Sequence, residues 1–409
     1  MPMIEPKDAI AAILDKTGVL GAEVRTLEET AGSVLAEDIV SRHPMPPFDN
    51  SAMDGYAVRA ADIAGASESG PVTLKLIEEQ PAGKATDVAV EPGTAIKIMT
   101  GAPVPAGADT VVQVELTAER GDGVDILAAK EAGKNIRRTG EEMAAETAAV
   151  PAGMVVDHVV IGVLASLGYP KVAVYRRPRV AVIGTGSELV PVEAELSPGK
   201  IRDSNSYALT AQARAAGAEA IRMGVASDTQ QETTRMVREA LKRADIVVTS
   251  GGVSVGEYDH VKDVIEELGG ELHFWGIRQK PGKPLAFWTM GDKLVFGLPG
   301  NPVASLLCFE EYVRPAVLKM MGREKLFRPE VAGVLTHDFK KKAGRHHFIG
   351  ALVERTENGY KWSINGRQGS GMLRSITGAE GIAVIPADVT EMKAGDRAVV
   401  QLITLPEDH

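Results

Sequence analysis

The stretch Asp245-Ile-Val-Val-Thr-Ser-Gly-Gly-Val-Ser-Val-Gly-Glu-Tyr-Asp259 decides how the middle of this chain is read. Residues 246–249 form a short apolar run, as a strand buried on both faces requires. The run empties into small residues, Ser250, Gly251, Gly252 and Ser254 among them, which let backbone approach a ligand closely. Glu257 and Asp259 close the loop, and Lys280-Pro-Gly-Lys-Pro284 follows some twenty residues on. Acidic groups beside a rigid, doubly cationic turn fit an anionic ligand accompanied by a metal or a proton.

Around this stretch, residues 178–330 alternate regularly. Strands are expected at 180–183, 220–225, 246–249 and 294–297. Helices are expected at 204–216, ended by Gly217, and at 229–243, 259–268 and 303–321. Repeated β-α order predicts a mainly parallel sheet with helices on both faces. Ligands of such sheets lie at the carboxyl ends of the strands. Here those ends are loops 184–189, 226–228, 250–259 and 298–301.

The flanks have a different texture. Ile4, Ile10, Ile13 and Leu14 are spaced for a helix, and Thr26-Leu-Glu-Glu29 has the form of a capping box, predicting a second helix to about Ala36. Pro44, Pro46 and Pro47 stop regular structure, and a helical pattern returns at 154–167. Between them, short Val/Ile/Thr runs separated by Gly and Pro read as a β-rich module. Past Pro329, Val-rich, Gly-punctuated sequence reads as a small β domain. The expected architecture is multidomain α/β plus β. It comprises a mainly helical N-terminal linking domain (1–45 and 142–177), a β-rich inserted module (46–141), the α/β domain (178–328) and a C-terminal β domain (329–409).

Composition narrows the function. The 409 residues carry a net charge of −10, which argues against a nucleic-acid-coating protein, although local lysines can still serve an anionic small molecule. No apolar run approaches a membrane span, and the N-terminus lacks the order of a signal peptide, so a cytoplasmic location is expected. The single cysteine, Cys308, sits among Leu306, Leu307 and Phe309 and reads as packed.

Familiar motifs fail at nameable residues. Gly184-Thr-Gly-Ser-Glu-Leu189 follows a strand, but Leu189 replaces the third glycine of a dinucleotide fingerprint and Pro191 follows too soon for a helix. Gly282-Lys283 lacks the upstream glycine of a phosphate loop, and Pro284 stands where Ser or Thr would bind magnesium. His346-His347 lacks a third ligand and reads as a surface pair. Asp49-Asn-Ser-Ala-Met-Asp54 and Thr100-Gly-Ala-Pro103, taken alone, read as turn chemistry. Glu188, Asp228, Glu257 and Asp259 form a potential acidic rim of oxygen ligands suited to Mg²⁺, with Asp259 also a candidate helix cap.

Taken together, the motifs closely resemble those of the molybdopterin molybdenumtransferase (MoeA) family, shared with the E domain of gephyrin. The match runs through Phe48-Asp-Asn-Ser-Ala-Met-Asp-Gly-Tyr-Ala57, Ile98-Met-Thr-Gly-Ala-Pro103, Asn135-Ile-Arg-Arg138, Thr185-Gly-Ser-Glu-Leu189, Ser250-Gly-Gly-Val-Ser-Val-Gly-Glu257, Lys280-Pro-Gly-Lys-Pro284 and Gly297-Leu-Pro-Gly-Asn-Pro-Val303. The resemblance implies insertion of molybdate into adenylylated molybdopterin, with Mg²⁺-dependent release of AMP. It implies a homodimer whose active site is shared between subunits, with a molybdopterin adenylyltransferase and molybdoenzyme maturation proteins as possible partners. It carries catalytic roles to Asp54, Thr100, Glu188, Asp228 and Asp259, the last three as metal ligands. Substrate contacts fall to Ser250, Gly251, Gly252, Ser254, Lys280, Lys283, Pro299, Arg345 and Ser370. Two positions depart from the family pattern: Glu142 where aspartate is frequent, and Ala304, before Ser305, where serine is frequent. Residues 178–330 alone would also resemble the smaller family that adenylylates molybdopterin; the flanking domains argue against that step. A dimeric scaffold, as in receptor anchoring by gephyrin, is the non-catalytic alternative, and the retained lysines and acids argue for activity.

Overall fold

The computed structural model describes residues 3–253, 260–366 and 368–404. They divide into two compact units, one of Met1–Ala36, Gly153–His158 and Lys171–His409, the other of Glu37–Ala152 and Val159–Pro170.

In the first unit, a six-stranded sheet runs in the order Glu219–Ala226, Arg179–Thr185, Ile246–Ser250, Lys293–Leu298, Ala286–Met290, Glu271–Trp275. Its first four strands are parallel, and the last two add antiparallel. Alternate side chains of one strand serve opposite cores, as the two-residue period demands. Val180 and Val182 pack with Leu209 and Ala213 of the helix Asn205–Ala215 and with Phe309, Val313 and Val317. Ala181 and Ile183 pack with Met236, Val237 and Ala240 of the helix Gln230–Arg243 and with Val264 and Ile265 of the helix Val261–Glu267. Helices therefore cover both faces. The long C-terminal helix expected at 303–321 is a continuous helical run, with Pro302–Cys308 and Arg314–Met320 joined by the π-helical turn Phe309–Val313.

The strands Glu330–Leu335, His346–Thr356, Gly359–Ile364, Gly381–Ile385 and Arg397–Leu402 form a closed ring, because His346–Thr356 pairs with both Gly359–Ile364 and Gly381–Ile385. Trp362, Ile349, Ala383 and Val400 fill this small barrel. Gln279–Lys280, leaving the α/β sheet, adds in parallel to the barrel strand at His346 and His347. On the opposite side of the contact, Val303 and Leu307 pack against Phe348 and Ile382.

The second unit is built on a six-stranded mixed sheet containing Gly55–Val58, Val72–Gln80, Thr94–Ile98, Thr110–Gln113, Thr117–Arg120 and Gly123–Ile126. This is the β-rich module expected from its turn-punctuated runs.

The helical N-terminal domain needs correction. Pro6–Asp15 is a helix, as expected, and so is His158–Ser166. Residues 27–36, however, form only the 3-10 turn Leu27–Glu29, a turn at 31–32 and isolated bridges at Val34 and Leu35, and Ala22–Thr26 pairs antiparallel with Lys171–Tyr175. The Thr26 hydroxyl donates to the Glu29 carboxylate at 3.1 Å instead of capping a helix. Gly32 has a positive φ of 76°, and Val34 and Leu35, both buried, bridge to Val155 and Val174. Burial between strands decides the conformation over local propensity.

Asp245, which begins the opening stretch, ties the strand starts together. It accepts Arg176 Nη1–H and Nη2–H at 2.9 and 2.8 Å and the Arg179 N–H at 2.7 Å. Burial works against its charge, but the Arg176 and Arg179 hydrogen bonds outweigh burial and hold its carboxyl below the usual range. A depressed carboxyl stabilises the fold above the pKa of the unfolded chain and loses that contribution as pH falls through the folded value. Asp245→Asn is expected to lower stability at pH 7 by about 1–3 kcal/mol in urea unfolding. The gap from wild type should close as pH falls below about 4, and a gap of constant size across that range would contradict this assignment.

Candidate active site

Where the barrel meets the carboxyl ends of the parallel strands, they enclose a cavity of about 1130 Å³. Each wall follows from the elements just described. The strand Arg179–Thr185 supplies Thr185, and the segment after it supplies Glu188 and Leu189; its return is fixed by the short parallel ladder of Leu189–Val190 with Ile201–Arg202. The strand Ile246–Ser250 supplies Ser250. The cationic turn supplies Lys280 and Lys283, the turn before Pro302–Cys308 supplies Pro299 to Asn301, and the barrel supplies Lys340, Lys341, Lys342, Arg345, His347 and Ser370.

Charge in the cavity is opposite to that of the chain. Seven cationic side chains line it, Arg202 among them, against the carboxylates of Glu188 and Asp203. Crowded cations leave a trace on their neighbours. His347 is 8% exposed, and burial first, then Lys280, Lys341 and Arg345, pushes its pKa down to about 4, so its ring is neutral at pH 7. Burial likewise lowers Lys341, whose ammonium donates to the carbonyls of Arg345 and Ala387 at 3.1 and 3.3 Å. The expected surface pair at 346–347 is thus corrected. His347 lines the cavity, and His346 lies 3.2 Å from Glu5 Oε2.

Glu188 and Asp228 are brought to adjoining loops. The Ser187 N–H donates to Asp228 Oδ2 at 2.8 Å, and the Asp228 N–H donates to the Ser187 hydroxyl at 3.1 Å. Glu188 is exposed and folds its carboxylate over Gly186, where an added Cβ would lie 2.5 Å from Oε2. Ser254, Glu257 and Asp259 lie outside the described residues.

The glycines of the opening stretch have a packing role. An added Cβ on Gly251 would lie 2.7 Å from the Thr185 carbonyl oxygen, and one on Gly252 would lie 2.5 Å from Val261 Cγ2, both at positive φ. Of that loop, Ser250 lines the cavity among the described residues. Gly282, between the two lysines, has a φ of 109°, and its Cβ would meet Cys308 Sγ at 2.6 Å. Cys308 is fully buried, and burial pushes its thiol well up, consistent with a packed residue.

Ala304 lines the cavity, and the hydroxyl of Ser305 points beneath it, 3.5 Å from Ser250 Oγ. Asn205, passed over in the sequence, organises this corner: its Nδ2 donates to Ser250 Oγ and to the Gly300 carbonyl, both at 2.8 Å. The lysine run 340–342 was also overlooked, although three consecutive cations in a small β domain are a readable signal.

Asp54 and Thr100 belong to the second unit and form their own pair. Asp54 Oδ1 accepts the Thr100 N–H and hydroxyl, each at 2.7 Å, and these bonds hold its carboxyl below the usual range. Nearby, Asp49 accepts Arg138 Nη1–H at 2.6 Å and the Thr139 N–H at 2.8 Å. Glu141, not Glu142, accepts the Arg138 N–H.

Three family models match in chain order: "MoeA N-terminal region (domain I and II)" over residues 4–168, "Probable molybdopterin binding domain" over 181–319 and "MoeA C-terminal region (domain IV)" over 332–403. The chain is 38% identical to molybdopterin molybdenumtransferase of Nostoc sp., over 93% of its length and 88% of the relative. It is 39% identical to molybdopterin molybdenumtransferase 2 of Mycobacterium tuberculosis, over 92% and 94% respectively. The structure matches the molybdopterin biosynthesis MoeA protein of Pyrococcus horikoshii OT3 with a TM-score of 0.82 and 32% identity, covering 98% of this chain and 100% of the other. The chain therefore belongs to the MoeA family of molybdopterin molybdenumtransferases, enzymes of molybdenum cofactor biosynthesis.

Proposed function

We propose that the enzyme acts on adenylylated molybdopterin, cleaving its phosphoanhydride to release AMP and inserting molybdate at the dithiolene. The observation that carries this reading is the cavity itself: seven cations gathered by an acidic chain, against one exposed carboxylate, Glu188, and one buried carboxylate, Asp203. Molybdate and a phosphoanhydride are both oxyanions, and cleavage at phosphorus builds further negative charge. Ammonium groups fixed in place before the reaction stabilise that charge without reorganising. Lys280 and Lys283 are both exposed into the cavity, on a turn locked by Gly282 against Cys308. Arg345 and Ser370, from the barrel wall, are suited to molybdate. Ser250, Pro299 and the 250–254 loop are suited to the pterin end.

The residues fit Mg²⁺ as a cofactor. Glu188 and Asp228 offer exposed or half-exposed carboxylate oxygens on loops joined through Ser187, the hard donor set this ion takes. They would hold it, with Asp259 as a third candidate. When bound, Mg²⁺ supplies positive charge to the phosphate oxygens.

Asp54 and Thr100 enter this reading through a homodimer in which each cavity is completed by the partner's β-rich module. Exposed Phe48 and Met53, beside Asp54 in sequence, support an interface there. A cytoplasmic setting, with substrate received from a molybdopterin adenylyltransferase and cofactor passed to molybdoenzyme maturation proteins, accords with the chemistry.

Lys280→Ala and Lys283→Ala should each lower kcat/KM for AMP release from adenylylated molybdopterin about 10²–10³-fold. Rates within threefold of wild type would remove the turn from the site. Glu188→Gln and Asp228→Asn should raise the Mg²⁺ concentration giving half-maximal AMP release by about tenfold or more; an unchanged Mg²⁺ titration would contradict their assignment. Mixing inactive Asp54→Ala subunits with inactive Lys283→Ala subunits should restore activity through heterodimers having one intact site. Sites built within single subunits would restore none.

A further inference from the structure

Lys341 stands apart from the lysines around it on the barrel. Lys340 meets the Glu391 carboxylate at 3.3 Å, and Lys393 is held by Glu391 and Asp338 at 2.6 and 3.0 Å. Lys341 lines the cavity half-buried, and among the described residues it forms no ion pair. Its ammonium donates to main-chain carbonyls instead, of Arg345 at 3.1 Å and of Ala387 at 3.3 Å. Its own N–H donates to the Thr390 carbonyl at 2.8 Å, and the Gly344 N–H to the Ala387 carbonyl at 2.9 Å. Backbone and side chain together pin residues 341–345 to the segment 387–390. Arg345, which also lines the cavity, ends that turn.

Pinning a turn needs donors, not charge; a neutral amide side chain would serve two carbonyls. A half-buried ammonium without an ion pair is costly. Burial and the nearby Lys280 both press Lys341 to give up its proton, opposed by Asp388. An anion in the cavity relieves that cost. An ammonium also has three N–H donors, and the two carbonyls leave one for a ligand. We propose that Lys341 is a further substrate-binding residue, which sets the turn carrying Arg345 and gives its remaining N–H to the molybdate that Arg345 receives. Its two carbonyl bonds fix the ammonium in advance, so binding does not have to order a free side chain. The inference rests on the reading that the cavity takes molybdate beside the phosphate-bearing substrate.

The test is calorimetric binding of molybdate to the full-length protein, with AMP binding measured in parallel. Lys341→Gln keeps an N–H donor for the carbonyls and loses the charge. It should weaken molybdate binding about tenfold or more and leave AMP affinity within about twofold of wild type. Lys341→Arg, which keeps the charge, should recover most of the molybdate affinity. In turnover, Lys341→Gln should raise KM for molybdate more than it lowers kcat. Lys393→Gln, which removes a barrel lysine outside the cavity lining, should leave molybdate affinity within about twofold of wild type. A readout on the wild-type protein avoids any folding defect of the variants: molybdate should slow amine labelling of Lys341, followed by peptide mass spectrometry. Molybdate affinity within about twofold of wild type in Lys341→Gln would overturn the inference and leave Lys341 a staple of the turn. An equal loss in Lys393→Gln, a loss of AMP binding in place of molybdate, or labelling indifferent to molybdate would overturn it as well. Wild-type protein with no saturable molybdate binding would instead defeat the reading on which the inference rests.

Discussion

The candidate site depends on one small piece of strand pairing. Gln279 and Lys280 leave the α/β sheet and add to the barrel at His346 and His347, and this two-residue ladder sets the barrel against the strand ends. Two residues of ladder are weak alone, so the surroundings hold them. Gln279 is fully buried; its Oε1 accepts the Tyr312 hydroxyl at 2.6 Å and its Nε2 donates to the Pro281 carbonyl at 2.9 Å. On the outer side, Glu5 Oε1 accepts Arg278 Nη1–H at 2.8 Å, while Arg278 donates to the Gly344 carbonyl. Buried polar groups satisfied in this way specify one arrangement, because any slip leaves them unpaired. The same ladder puts Lys280 and His347 side by side, so the contact that builds the cavity also sets its charge.

That charge accounts for an acidic protein handling anions. The net charge of −10 is spread over the surface, while the cavity concentrates cations from the turn at 280–283, the barrel run at 340–345 and Arg202. Within a partly enclosed site, local charge outweighs distant charge screened by solvent. His347 stays neutral there because burial first, and then its cationic neighbours, oppose a further proton. The acidic lining groups are Glu188, after the strand Arg179–Thr185, and Asp203, after its return ladder, while the turn at 280–283 and the barrel supply the lysines.

Much of this was legible in the sequence, and the gaps have physical causes. The parallel strands and their helices declared themselves through apolar runs and glycine stops. The antiparallel strands Glu271–Trp275 and Ala286–Met290 went unread, although Gly291-Asp292 between Met290 and Lys293 is a two-residue hairpin signal. The false helix at 27–36 came from trusting a capping box over Val34 and Leu35, whose burial between strands no local rule reveals. The packing of glycines 251 and 252 against Thr185 and Val261 was not legible, because sequence shows that a Cβ is absent, not what lies where it would be. The lysines of the turn were found by their rigid setting. Asn205 and His347 were missed because their roles come only from distant chain, at Gly300 and Lys280.

The central claim is that the cavity between barrel and sheet receives the phosphate-bearing substrate. A crystal structure of the protein with adenylylated molybdopterin bound tests it most directly. The account predicts phosphate density within hydrogen-bonding distance of the Lys280 and Lys283 ammonium groups, with the pterin under the Ser250 loop. A ligand bound in order elsewhere on the protein, with the lysine turn untouched, would contradict it.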